Sequence, residues 1–304
     1  MSHFKVIVVG DDVDGQLSAF HEFECTGIDD EHVQDTDITD QFKSDFEVYG
    51  EGKSIVDFAR DWHNYDCILP DVSPDISDEH KFGYVVITTT GELVQAIRRT
   101  NPAAKWDWYE IGGRYSGSLL LKSGTLGFKG DRCWTNRNDF IPDHLVDQTQ
   151  WGNIDIQAMR DEVEREIRET YSQKRTLLVA AGFSEDAKWR SWNEISHEFA
   201  DREACRKAYW SQAEIKAVQS LSQFVLYDYD DLLLDEESSV RLGRDNVPSC
   251  FAIVKNGNWH ERGHMHMFGI VSDEVSMDKW IDEKAKLLAD LDPETLITVV
   301  DCHV

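Results

Sequence analysis

The sequence predicts an α+β protein in which a mixed or antiparallel sheet is formed by both ends of the chain, with a helical segment inserted between them. Three observations carry this. Compact β-branched runs stand near each end, Phe4 to Val9 and Leu296 to Val300. Between them, Ile156, Met159, Val163, Ile167 and Tyr171 recur at three- and four-residue steps. Two hairpin patterns, 82–99 and 250–270, flank that helical stretch. The expected division is an N-terminal α+β part over 1–150, a helical insertion over 151–245, and a C-terminal hairpin, helix and strand over 246–304.

The first strand ends in Gly10-Asp11-Asp12, a turn signal. Residues 11–80 mix short apolar groups with dense acids, so short helices and loops are expected there, packed through Phe20, Phe23, Phe42, Phe46, Phe58 and Trp62. Phe82 to Ile87, Thr88-Thr89-Thr90-Gly91 and Glu92 to Arg99 read as strand, turn and strand. Leu119 to Lys122 is a further strand, and Gly124, Gly127 and Gly130 mark a loop. Helices are expected over 186–199 and 201–220, while Phe224 to Leu234 fits strand or helix equally. Asn256-Gly257 is a type I′ turn signal. Trp280, Leu287, Leu288 and Leu291 give 276–290 an amphipathic helical face, and Asp292-Pro293 ends it.

Charge bounds the function classes. The formal net charge is −27 over 304 residues, and the first 80 carry 21 acids against 4 bases. Residues 81–150 reverse the balance, with 9 bases against 7 acids. Such a surface repels nucleic acid and anionic membrane and favours basic partner surfaces. Ten Trp, 14 Phe and 9 Tyr place the acidity on a folded body rather than on a disordered tail. No apolar run approaches the length of a membrane span, and no targeting segment is visible. Six scattered cysteines without CxxC read as free thiols in a reducing compartment, so a cytoplasmic protein is expected.

No complete catalytic motif is present, and no cofactor or metal is expected. Trp106-Asp107-Trp108-Tyr109-Glu110-Ile111-Gly112-Gly113-Arg114-Tyr115 is the densest aromatic and glycine cluster. Trp106, Trp108 and Tyr109 would offer ring faces to a ligand and Arg114 would clamp an anion. The same residues equally suit a strand and bulge with core aromatics. His260-Glu261-x-x-His264 with His266 has the residue types of a zinc site, but Gly263 and the preceding Asn-Gly-Asn favour a hairpin with partly exposed histidines. Cys302 and His303 close a strand that could bring them beside His3, although neighbouring strand residues face opposite ways. The acids Asp228, Asp230, Asp231, Asp235, Glu236 and Glu237 lack the spacing of an EF-hand.

Three segments together, Ser2-His3-Phe4, Trp106 to Arg114, and Val299-Val300-Asp301-Cys302-His303, resemble a protein family encoded by bacteriophages and by actinobacterial and plasmid genomes. Its members tend to lack His264 and His266 in the hairpin, and the resemblance supplies no reaction. It implies a phage-type anti-defence, host-takeover protein that binds a host nucleic-acid-binding complex (a restriction, CRISPR or Gabija-type nuclease) without touching nucleic acid or membrane. Asp29, Asp30, Glu31, Asp35, Asp37, Asp228, Asp230 and Asp231 are the expected partner-facing acids, and self-association is compatible with it. The alternative is an enzyme or sequestering protein for an anionic, nucleotide-like molecule at Trp106–Arg114.

Overall fold

A computed structural model describes the backbone of residues 2–22, 30–77, 81–132, 141–199, 201–221, 230–266 and 269–304. In chain order the strands are β1 (His3–Val9), β2 (Gln34–Asp37), β3 (Asp66–Ile68), β4 (Gly83–Ile87), β5 (Leu93–Thr100), β6 (Trp108–Gly113), β7 (Leu119–Leu120) and β8 (Asp131–Arg132). They continue with β9 (Leu145–Val146), β10 (Gln148–Gln150), β11 (Ala252–Lys255), β12 (Asn258–Glu261), β13 (His264–His266), β14 (Ile270–Ser272) and β15 (Leu296–His303). The helices are α1 (Val13–Ser18), α2 (Thr39–Tyr49), α3 (Ile55–His63), α4 (Ile156–Ala180), α5 (Trp192–Ser196), α6 (Arg202–Trp210), α7 (Ala213–Leu221), α8 (Glu236–Asp245) and α9 (Met277–Leu288).

The fold is α+β, and its main sheet is mixed, in the order β12-β11-β1-β15-β6-β8, with β10 also on β15. Both ends of the chain meet at its centre. β1 lies parallel to β11 and antiparallel to β15. Both faces of β1 are covered, which is why its sequence is nearly all apolar rather than alternating. Ile7, Val9, Ile297 and Val299 pack with Trp280 and Leu288 of α9 on one face, while Phe4, Val6, Val8, Val300 and Cys302 pack with Leu17 and Trp106 on the other. Asn256 and Gly257 both have positive φ in the β11–β12 turn, as a type I′ hairpin requires.

Residues 34–100 build a second sheet, β2-β5-β4-β3, with a core of its own from Ile38, Phe42, Phe58, Tyr65, Val85 and Ala96. Loops and short helices were expected over 11–80, yet β2 and β3 extend the 82–99 hairpin on both sides. All four residues of β2, Gln-Asp-Thr-Asp, are exposed, so no apolar alternation marks the strand. It is held by the backbone ladder to β5 and by Asp35, which accepts from Arg99 Nε at 3.0 Å.

The helical portion has its own core of Leu178, Trp189, Ile195, Cys205, Tyr209, Ile215 and Leu232. The long α4 is fastened to α8 by Arg168, which bonds Glu236 at 3.1 Å and Glu237 at 2.7 Å. Only Trp192–Ser196 of the expected 186–199 helix is helical; a Ser191–Glu194 capping box starts it. The 224–234 question falls largely outside the described residues, and Asp230–Leu233 is a 3-10 turn. Among the described residues no helix is long and apolar enough to cross a membrane.

Candidate functional site

The three segments that carried the sequence argument converge on one polar row of the main sheet. His3 pairs with His303, and His303 pairs with Trp108 on the far side. The next row on the same face is Lys5, Asp301 and Glu110. Further along the strands the same face becomes the apolar core of Ile7, Val299 and Trp280. The polar row therefore closes one end of a buried layer, with Asp301 and His303 buried and Trp108 exposed at its edge.

Each histidine is held by a carboxylate. His3 Nδ1 lies 3.0 and 3.1 Å from the two oxygens of Asp301, and His303 Nδ1 lies 2.6 Å from Asp107 Oδ1. A carboxylate only accepts, so Nδ1 carries the proton in both rings and Nε2 is the nitrogen left for other chemistry. The rings meet edge to face with centroids 5.0 Å apart, and Trp108 stacks on His303 at 5.3 Å. The side chain of His303 is 3% exposed, and its Nε2 has no hydrogen-bond partner.

Asp301 is fully buried and also accepts from the Arg114 backbone N–H at 2.8 Å. Gly113 makes that approach possible: a Cβ there would sit 2.5 Å from Asp301 Cβ, and its φ is +53°. The side chain of Arg114 is exposed and makes no hydrogen bond or ion pair among the described residues. Tyr115 donates to the His3 carbonyl at 3.1 Å, and burial, reinforced by Asp301, pushes its phenol up to about 12. Lys5 lies 5.4 Å over the Tyr115 ring and donates to Ser249 at 3.1 Å; burial lowers its pKa.

The residues singled out from the central motif part company. Trp106 is buried, its Nε1 donates to the Leu17 carbonyl at 3.1 Å, and His21 stacks on it at 4.4 Å. Tyr109 faces away from the histidine row and donates to Asp14; burial, then Asp14, pushes its phenol up. Trp108, 40% exposed, and Arg114 remain at the surface beside the row. Asp107, Asp301, Lys5 and Tyr115 were not singled out for this role. The Val-Asp-Cys-His ending, read with period two against a strand starting at His3, held the signal for Asp301.

Cys302 points to the opposite face and is fully buried. Burial, then Asp301, raises its thiol well above the ordinary 9.0. The native thiol is expected to resist thiol-specific reagents and to react on denaturation. Above about pH 9 the unfolded thiol ionises while the folded one stays protonated, so the folded state binds more protons and its stability falls as pH rises. Denaturation midpoints of wild type and Cys302→Ala should therefore draw together between pH 7.5 and 10; a constant gap would refute the assignment.

The three histidines of the His260–His266 segment divide into two groups. His260 Nδ1 is 3.3 Å from Glu283, whereas His264 lies beside Lys105 and Glu261, and His266 Nε2 is 2.9 Å from Ser272 Oγ. A break at Arg262-Gly263 separates β12 from β13, so His260 stands apart while the His264 and His266 rings pack edge to face with centroids 4.5 Å apart. Among the described residues no group of three His, Cys, Asp or Glu is placed to hold a metal ion.

Asp29 and Asp228 lie outside the described residues, as do the side chains of Asp30, Asp230 and Asp231. Glu31 is exposed. Asp35 is engaged by Arg99, and Asp37 accepts from Thr39 and Gln95, bonds led by the Thr39 hydroxyl that hold its carboxyl down to about 2. No family model, curated protein or solved structure matches this chain.

Proposed function

We propose that the protein binds an anionic, nucleotide-like small molecule at the Trp108–Arg114 edge of the main sheet, the ring of Trp108 stacking on its base and Arg114 meeting its phosphate. The observation that carries this reading is the bare Nε2 of buried His303, directly beneath Trp108. Leaving such an acceptor unbonded costs about 1–3 kcal/mol, which a ligand hydroxyl donating to it would offset. The surplus of bases in 81–150 supports it, because an anion is tolerated there better than elsewhere on so acidic a chain. Quenching of Trp fluorescence by adenosine monophosphate is the test. Trp108→Ala and Arg114→Ala should each weaken binding roughly tenfold, a loss of about 1.4 kcal/mol, with unchanged circular dichroism. Equal binding by Arg114→Ala would end the proposal.

A second reading, the phage-type anti-defence protein acting in a host cytoplasm, is favoured by a different observation. Val48, Tyr49 and Trp62 are 64%, 53% and 52% exposed, and the two rings stack at 4.7 Å. Asp40, Asp45, Glu47, Asp57 and Asp61 lie on the same two helices, α2 and α3. Exposed aromatics amid acids suit the centre and rim of an interface with a basic, nucleic-acid-binding nuclease complex. Capture of such a complex from host cells should weaken with salt and with Trp62→Ala. Capture indifferent to both would remove this reading.

A further inference from the structure

We infer that His3 and His303 form an acid–base pair that hydrolyses a phosphodiester bound at the Trp108–Arg114 edge, an inference that rests on the small-molecule reading above. Four features make the pair suited to proton transfer rather than to packing alone. Both rings present the same nitrogen, because Asp301 and Asp107 each occupy an Nδ1. A carboxylate on Nδ1 fixes ring orientation and stabilises the imidazolium that forms when Nε2 takes a proton. The ring centroids are 5.0 Å apart, near enough for both to serve one phosphate group. Finally, the two rings come from neighbouring strands locked in register, so their separation is set by the sheet and not by a loop.

The remaining groups fit the same substrate class. Trp108 contacts both imidazoles, stacked on His303 and edge-on to His3 at 5.7 Å, and its exposed part can carry a flat base. Arg114 starts beside Asp301 and is the cation available for the non-bridging phosphate oxygens. Lys5 is already committed to Ser249 and the Tyr115 ring.

The step balances with water alone. A water oxygen forms a bond to phosphorus while one imidazole Nε2 takes a proton from it. The bond from phosphorus to the departing ester oxygen breaks, and that oxygen receives the proton carried on Nε2 of the other, imidazolium, ring. Diester and water become monoester and alcohol, and the two rings exchange protonation states, to be reset by solvent.

The test uses the full chain with bis(4-nitrophenyl) phosphate and adenosine 2′,3′-cyclic monophosphate as substrates, and adenosine monophosphate binding as a separate readout. Wild type should turn over at least one diester. His3→Gln and His303→Gln should each lose about 10²–10⁴-fold in kcat, and the double variant little more, because the pair acts as a unit. Binding of adenosine monophosphate should persist in His3→Gln, which leaves in place the His303 nitrogen that the binding reading rests on. Binding without turnover in wild type, or turnover retained in either variant, overturns the acid–base pair and leaves the binding reading standing. Absence of binding in wild type overturns the binding reading and the pair with it. Should a glutamine variant not fold, carbethoxylation of wild-type histidines with diethylpyrocarbonate serves instead. Inactivation prevented by adenosine monophosphate is expected, and undiminished turnover overturns the pair.

Discussion

Asp301→Ala is expected to cost about 2–5 kcal/mol of folding stability and to abolish ligand binding at the histidine row. The carboxylate is fully buried and accepts from two donors at once, His3 Nδ1 and the Arg114 backbone N–H. Truncation leaves both donors without a partner in a water-poor layer, and each such orphan costs about 1–3 kcal/mol. It also frees the His3 ring and the Gly113–Arg114 backbone, which Asp301 ties together from the neighbouring strand. Asp301→Asn keeps the volume and one acceptor, so it should fall between wild type and alanine. Urea denaturation of the three proteins reads the effect. A midpoint for Asp301→Ala within error of wild type would show that the carboxylate does not hold the strands together.

Gly113→Ala should produce a loss of similar size by a different route. A left-handed φ of +53° costs a non-glycine residue about 1–2 kcal/mol. The added Cβ would also sit 2.5 Å from Asp301 Cβ and 2.6 Å from its Oδ2, and forcing extra volume into a packed layer costs typically about 1–3 kcal/mol. Asp301 cannot yield without releasing His3. The substitution should therefore lower stability by about 2–5 kcal/mol and weaken adenosine monophosphate binding together. Gly91→Ala, at φ +83° with open space around it, is the control for backbone strain alone. If both glycine variants lose the same stability, the contact with Asp301 contributes nothing.

Much of the architecture was legible because it rests on local periodicity. The apolar ends announced two central strands, Asn256-Gly257 announced its hairpin, and the three- and four-residue steps from Ile156 announced α4. β2 was not legible, since an exposed edge strand of Gln-Asp-Thr-Asp is specified by its partner β5 and not by its own hydrophobicity. The motif Trp106 to Arg114 was legible as important but not as divided. Period two places Trp108 with the histidines and Tyr109 on the other face, whereas the burial of Trp106 depends on Leu17 and His21, more than eighty residues away.

The sequence by itself determined the α+β class, the meeting of the two chain ends in one sheet, the acidic balance and the opposed facing of Cys302 and His303. These follow from composition and from the two-residue repeat of a strand, which any local window contains. Only the tertiary structure decided that His3 and His303 stand opposite each other with Asp301 and Asp107 behind them and Trp108 above. That placement depends on the register between strands almost three hundred residues apart. A shift of one residue would turn every one of these side chains to the other face.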